Sequence, residues 1–404
     1  MQTESSSPFN FEKCQKCSIC VSVCPMKEAN PLYPGPKQAG PDGERYRLKS
    51  PEYFDAALKF CLGCKRCEAA CPSGVKVADL ISRARAEYGR HARPLRDFAL
   101  SNTDLVGSVA VPFAPIVNAA LSLKPAGVAM SLLGIDRRRR FPSYSKERFE
   151  DWLRDQDQSG YSRFVSYFHG CYVGYNHPLL GQDVVRVMNA CGYGVRALEK
   201  EKCCGVALIA NGFHKQAREQ AGVNVASFGK ALDAGSEAVL VTSSSCANTI
   251  LNEYPHLLGL ETPSGVDFAA KFIVEKVQAG EIRLVFKQGL RASYVYHTAC
   301  HMQALGYEAY SIALLRMIPG LEVKVLPQEC CGIAGTFGFK KENYDLSQKI
   351  GSKLFALIDR PVACDCETCK WQIEMSTGHS VHNPIEILHA ALDLEATAAA
   401  NALP

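Results

Sequence analysis

The chain has 404 residues, 47% of them hydrophobic, and a formal net charge of +4, so two or three compact units with a sizeable core are expected. That charge is too small for a nucleic-acid binder, and no basic stripe with interleaved aromatics runs through it. Cysteine is the outlier, at nineteen residues in tight groups.

The opening stretch, Met1 to Glu12, is polar, with no apolar signal core and no twin-arginine leader. A cytosolic setting is therefore expected. Thiols stay reduced there, so grouped cysteines read as metal ligands or redox catalysts and not as disulfides.

Residues 1–90 carry eight cysteines in two motifs. Cys14-x-x-Cys17-x-x-Cys20-x-x-x-Cys24-Pro25 is the first, and Cys61-x-x-Cys64-x-x-Cys67-x-x-x-Cys71-Pro72 the second. This is bacterial ferredoxin spacing. Three close thiolates hold one 4Fe-4S cluster and the fourth cysteine reaches the other. One cluster is then expected on Cys14, Cys17, Cys20 and Cys71, and a second on Cys61, Cys64, Cys67 and Cys24. Each trailing proline restricts the preceding cysteine to extended backbone. Structural zinc, the competing reading, requires only two separated Cys pairs. The spacer carries turn signals at Pro34-Gly35-Pro36, Gly40-Pro41 and Asp42-Gly43. Helices are expected over 55–59 and 77–88. This region resembles the α-helical ferredoxin modules of respiratory iron–sulfur subunits.

Residues 91–160 hold no cysteine. Leu105 to Leu123 and Pro125 to Ile135 are free of charge, and Arg137-Arg138-Arg139-Arg140 follows. Pro112, Pro115, Asn118 and Lys124 interrupt the run, which fits a membrane-spanning helix poorly. Two readings stand: an interfacial segment with a basic flank that docks on membrane or partner, and a packed linker with a solvated arginine patch.

Beyond residue 161 the pattern is strand, loop, amphipathic helix, as in α/β folds. Strands are expected at 164–168, 238–241, 294–296 and 321–326, and helices at 179–189, 307–317 and 343–358. A repeat runs through this region. His169-Gly170-Cys171, Cys203-Cys204-Gly205 and Ser243-Ser244-Ser245-Cys246 form one copy. His297-Thr298-Ala299-Cys300, Cys330-Cys331-Gly332 and Cys366-Glu367-Thr368-Cys369 form the other. Each cysteine follows an expected strand, where open α/β sheets hold ligands. Adjacent cysteines meet one site only if the chain bends sharply, and Gly205 and Gly332 permit the bend. The competing reading is a core with incidental cysteines. His169, His297 and His301 stand beside these cysteines, either tuning a cluster or relaying a proton, or simply hydrogen-bonded to backbone or sulfur. Cys191 and Cys364 are left for packing.

The order Cys, Cys-Cys-Gly, Cys-x-x-Cys resembles the CCG domain of heterodisulfide reductase B subunits and their relatives. That resemblance implies one cluster, a noncubane 4Fe-4S in some members, on five cysteines per complete copy. Here these are Cys300, Cys330, Cys331, Cys366 and Cys369. The first copy has Ser243 in place of one cysteine, leaving Cys171, Cys203, Cys204 and Cys246 for an iron–sulfur cluster or zinc. The fold class expected is α+β multidomain: an α-helical ferredoxin domain (1–90), a linker or docking segment (91–160), and two α/β CCG repeats (161–285 and 286–395).

The two ferredoxin motifs, the spacer Tyr33 to Arg45, Glu201-Lys202-Cys203-Cys204-Gly205 and the stretch Asp365 to Met375 occur together. The chain in this respect resembles the C subunits of anaerobic glycerol-3-phosphate dehydrogenases. The resemblance implies an electron-transfer subunit at the cytoplasmic face of the inner membrane, a flavoprotein partner and delivery to membrane quinone. No Gly-x-Gly-x-x-Gly after a strand and no P-loop is present, so flavin, NAD or ATP on this chain is not expected. Alternatives are the iron–sulfur subunit of a lactate or glycolate oxidase, a heterodisulfide-reductase-type catalytic subunit, and a zinc scaffold.

Overall fold

The computed structural model describes residues 10–50, 56–89 and 92–402. Both ferredoxin motifs close in the same way. Lys16 and Ser18 flank Cys17 in left-handed backbone (φ 58° and 66°), and Gly63 and Lys65 flank Cys64 likewise (φ 67° and 59°). A one-turn helix follows each, Ile19–Ser22 and Arg66–Ala69. Pro25 starts the helix Pro25–Ala29 and leaves Cys24 extended (φ −86°, ψ 110°), as a proline imposes on its predecessor. Helix Val77–Tyr88 forms at the expected residues and buries Leu80, Ile81 and Ala84. The helix expected over 55–59 is a 3-10 helix, Ala56–Phe60, and Asp55 lies outside the described residues.

The spacer departs from expectation. Gly40, Pro41, Asp42 and Gly43 do not make turns. They lie in a π-helix, Gln38–Asp42, that runs into an α-helix, Gly43–Lys49. Packing explains the glycine at position 40, because a Cβ there would stand 2.9 Å from Val77 Cγ1. The wide π turn accommodates Pro41, which has no N–H to donate.

Residues 94–133 fold into consecutive helices, Pro94–Ser101, Thr103–Ala110, Ala114–Ser122 and Lys124–Leu133. The prolines do not break the run. Pro112 falls in a single 3-10 turn, Val111–Phe113, and Pro115 at the start of the next helix, where a missing N–H has no partner to lose. Thr103–Ser122 is thus 20 helical residues of mean hydropathy 1.7, long and apolar enough to cross a membrane by length and composition. One side is fixed to the protein. Asn118 exchanges two 2.8 Å hydrogen bonds with the backbone of Tyr144, and Gly107 packs so close to Tyr175 that a Cβ would meet its ring at 2.4 Å. On the other side Leu105, Val109, Phe113 and Ile116 are each more than half exposed.

The arginine run is not a uniform basic patch. Arg139 is buried, donates to Gly338 O at 2.6 Å and Ser347 Oγ at 3.0 Å, and also bonds Gln372. Arg138 pairs with Asp136 at 2.9 Å and Asp345 at 2.8 Å. Arg137 and Arg140 remain exposed.

The repeats are two four-stranded parallel sheets of identical order. The first sheet is β1 (Arg163–Phe168), β2 (Tyr193–Ala197), β3 (Ser236–Val241) and β4 (Val266–Phe268), arranged β2-β1-β3-β4. The second is β5 (Ala292–Tyr296), β6 (Leu321–Val325), β7 (Val362–Ala363) and β8 (Val381–His382), arranged β6-β5-β7-β8. In both, the three cysteine segments follow three neighbouring strands: β1, β2 and β3, then β5, β6 and β7. Parallel crossovers put helices on both faces, so the inner strands are apolar and buried, whereas the edge strand β6 carries Glu322 and Lys324 and is largely exposed. Val165, Tyr167, Val239 and Leu240 are fully covered, as are Val295, Tyr296, Val362 and Ala363. One continuous core spans both repeats. The last helix, Leu394–Asn401, runs past residue 395 and returns to the first repeat, where Asn401 donates to Ala190 O at 3.4 Å. The whole is an α-helical ferredoxin unit followed by two α/β repeats.

Candidate metal centres

The thiols of the ferredoxin region gather in two groups. Cys14, Cys17, Cys20 and Cys71 line one cavity. Cys24, Cys61, Cys64 and Cys67 line another. The fourth thiol of each group therefore comes from the other motif. Val75 N–H donates to Cys71 Sγ at 3.3 Å, the type of backbone contact that stabilises a metal-bound sulfur.

The second repeat brings Cys300, Cys330, Cys331, Cys366 and Cys369 to one cavity, which Cys61 and Cys64 of the ferredoxin region also line. Cys331 and Cys369 sulfurs are 3.3 Å apart. Gly332 (φ 82°) turns its N–H to Cys330 Sγ at 3.4 Å. A Cβ at position 332 would stand 2.1 Å from Ser347 O, so glycine is required twice over there. The first repeat brings together Cys171, Cys203, Cys204 and Cys246. The sulfurs of Cys171 and Cys203 are 3.8 Å apart, and Gly205 makes the same left-handed turn (φ 87°).

The repeats wall in each other's sites. Ser245 of the first repeat places Oγ 3.3 Å from Cys366 Sγ. Glu367, Thr368 and Trp371 of the second line the cavity of Cys171. Ser243 and Cys366 are the N-caps of equivalent helices, Ser244–Asn248 and Glu367–Thr377, which confirms that serine stands where the second repeat has a thiol.

The electrostatics call for a cation. Burial raises the Cys20 thiol, and Cys14, Cys17 and Cys71 raise it further. Burial pushes Cys24 up to about 12. Cys300 is raised by burial and then by Cys64, Cys330 and Cys331. In each repeat one thiol is held far below its usual range by its neighbours' hydrogen bonds: Cys203 by Cys171 and Cys204, and Cys366 by Cys369. Crowded buried thiols cannot all ionise unless a positive ion joins them, and a bound metal deprotonates them outright. The donor sets thus fit iron–sulfur clusters.

The three histidines differ. His169 Nδ1 bonds Gly170 O at 2.8 Å, and His301 Nε2 bonds Gly63 O at 3.2 Å, the backbone alternative in both. His297 is buried with neither ring nitrogen partnered, and burial pushes it down to about 4. Its ring nitrogen, Cys364 Sγ and Cys369 Sγ lie within 4.8 Å of one another. Cys364 is buried beside Cys369, one of the thiols of the second site.

Two carboxylates escaped the sequence reading. Glu201 accepts from Gly170 N at 2.7 Å and His169 N at 3.3 Å, fixing the turn that carries Cys171. Glu367 accepts from Ser243 Oγ, and burial pushes it up to about 8. Both stand inside the cysteine motifs, two residues or one from a thiol, which was the available signal. Asp104, from the cysteine-free helices, accepts from Cys203 N at 2.6 Å.

Comparison with known proteins agrees with this layout. A 4Fe-4S dicluster domain matches residues 10–75, and a cysteine-rich domain matches 165–251 and again 294–374. The C subunit of anaerobic glycerol-3-phosphate dehydrogenase from Escherichia coli (strain K12) is 51% identical over 95% of this chain and 99% of its own length. The D subunit of dihydromethanophenazine:CoB–CoM heterodisulfide reductase from Methanosarcina mazei is 25% identical over 96% of this chain and 95% of its own. Lactate utilization protein A 2 from Bacillus cereus is 30% identical over 44% of this chain and 74% of its own. With one dicluster domain, two cysteine-rich repeats and full-length identity of that order, the chain belongs to the family of iron–sulfur C subunits of anaerobic glycerol-3-phosphate dehydrogenases.

Proposed function

We propose that this chain is a linear electron relay, taking electrons from a flavoprotein partner that oxidises glycerol 3-phosphate and delivering them to membrane quinone. Iron–sulfur clusters held by its thiols supply one-electron transfer. Cys14, Cys17, Cys20 and Cys71 hold one 4Fe-4S cluster, and Cys61, Cys64, Cys67 and Cys24 a second. Cys300, Cys330, Cys331, Cys366 and Cys369 hold a third centre. Cys171, Cys203, Cys204 and Cys246 hold iron–sulfur or zinc.

The observation that carries this reading is the sharing of walls between successive sites. Cys61 and Cys64 belong to the second ferredoxin group and also line the cavity of Cys300 and Cys330. Ser245, in turn, lines the cavities of both repeats. Cys17 is exposed, which suits receipt of electrons from a partner at that end. The exposed apolar side of Thr103–Ser122 suits peripheral attachment to the cytoplasmic face of the inner membrane at the other.

Anaerobic purification from native cells tests the reading. Co-purification with flavoprotein subunits that oxidise glycerol 3-phosphate, and iron in the preparation, are expected. A partner oxidising lactate or glycolate, or stoichiometric zinc without iron, contradicts it.

A further inference from the structure

Resting on the relay reading, we propose that the ring of an isoprenoid quinone binds in the cavity between helix Thr103–Ala110 and the thiols of the first repeat. This cavity holds about 180 Å³, against about 70 Å³ at the second repeat and about 20 Å³ at each ferredoxin group. A cluster on Cys171, Cys203, Cys204 and Cys246 needs no more room than its counterparts have. Val106, Phe141, Tyr172, Tyr175 and Phe339 line the same cavity as the thiols, and single waters need only about 10–15 Å³ each.

Two features select the occupant. Thr103 Oγ1 and Trp371 Nε1 are buried donors in the lining, and the groups within their reach, Cys203 and Tyr172, belong to the same lining. The Thr103 hydroxyl lies close enough to Cys203 to lower its pKa, and the Trp371 ring lies against Tyr172 with centroids 5.4 Å apart. His169 is engaged with Gly170 O and Glu367 with Ser243, while Tyr144, Tyr172 and Tyr175 add further hydroxyls to the lining. A flat apolar ring that offers acceptors and needs donors matches buried hydroxyl and indole donors set between aromatic walls. The described lining has no Lys or Arg, so an anionic thiol or phosphate substrate is disfavoured. Val106 is both a wall of the cavity and part of the exposed apolar side of the helix, so an isoprenoid tail leaves toward the surface that suits lipid. The reaction balances as one quinone plus two electrons from the relay and two protons from water, giving one hydroquinone.

Isothermal titration calorimetry of the oxidised, metal-loaded full chain with a short-chain naphthoquinone and a short-chain benzoquinone tests this. One site is expected for at least one of them. Thr103→Val and Trp371→Phe should each weaken binding about tenfold, the loss of one hydrogen bond in a dry site. Trp152→Phe, outside the cavity, should bind as wild type. Circular dichroism checks folding, and the two variants alter different walls, so loss of one leaves the other informative. No binding by wild type, or wild-type affinity in both cavity variants, overturns the assignment. The relay is read separately, as bleaching of cluster absorbance when glycerol 3-phosphate is added to the complex with its flavoprotein. Absence of bleaching would overturn the relay, whereas calorimetry decides the cavity by itself.

Discussion

Ser243 Oγ donates a 2.5 Å hydrogen bond to Glu367 Oε2, joining the position where the first repeat lacks a thiol to the residue after Cys366 in the second. The first site therefore offers four thiols and the second five. Ser243→Cys should convert the first site toward the second and change its Mössbauer spectrum, leaving the second site's signature in place. Two five-thiol signatures already in wild type, unaltered by the substitution, would show that Ser243 does not limit the site.

The crossed grouping of the ferredoxin thiols makes Cys71→Ser informative. Cys71 shares its cavity with Cys14, Cys17 and Cys20, so paramagnetic resonance of the reduced variant should show that group's cluster perturbed. The cluster of Cys61, Cys64 and Cys67 should keep its wild-type signal. Selective loss of the latter contradicts the crossing.

Lys65 fastens the ferredoxin unit to the first repeat. It is buried, pairs with Asp79 on helix Val77–Tyr88, and reaches Glu253 of the repeat at 3.3 Å. Burial opposes its charge, but Asp79, Glu68 and Glu253 outweigh that and hold it well above the usual lysine range. Lys65→Met strands two buried carboxylates and should cost about 3–5 kcal/mol. Glu253→Gln should cost less, because Asp79 still pairs the ammonium. Anaerobic guanidinium unfolding measures both, and a Lys65→Met stability within about 0.5 kcal/mol of wild type would be incompatible with a buried pair.

Membrane attachment should depend on apolar contacts more than on the arginines. Phe113→Asp and Ile116→Asp should each reduce liposome sedimentation at least tenfold, since burying one such side chain contributes about 1.5–3 kcal/mol. Changing Arg137 and Arg140 to serine removes only about 1 kcal/mol per residue, on anionic lipid at low salt. Arg139→Ser should act through stability, because its guanidinium is bonded inside the fold. Equal sedimentation of wild type and both aspartate variants would leave the segment as a packed linker.

What the chain revealed before folding was local. Cysteine spacing reports directly on short loops, and the 3.6-residue period of Val77–Tyr88 on one buried face. The duplicated cysteine order located two sheets of identical strand order, even where β7 and β8 have two residues each. Contacts distant in sequence were hidden. Gly40 and Gly43 carry turn chemistry, yet the neighbouring helix makes them helical. Arg139 belongs to an exposed-looking run, yet the hydroxyl it meets belongs to Ser347. Glu367 meets Ser243 only because the repeats face each other, 124 residues apart.

Freeze-quench paramagnetic resonance of the anaerobic complex, mixed with glycerol 3-phosphate, tests the central claim most directly. If this chain is the relay, signals from reduced clusters appear on it within one turnover, and added short-chain quinone reoxidises them. Removing the Cys330 thiol, as Cys330→Ser, should stop quinone reduction while the flavoprotein still reduces an artificial acceptor. Clusters that stay oxidised while wild-type complex turns over with quinone would contradict the account.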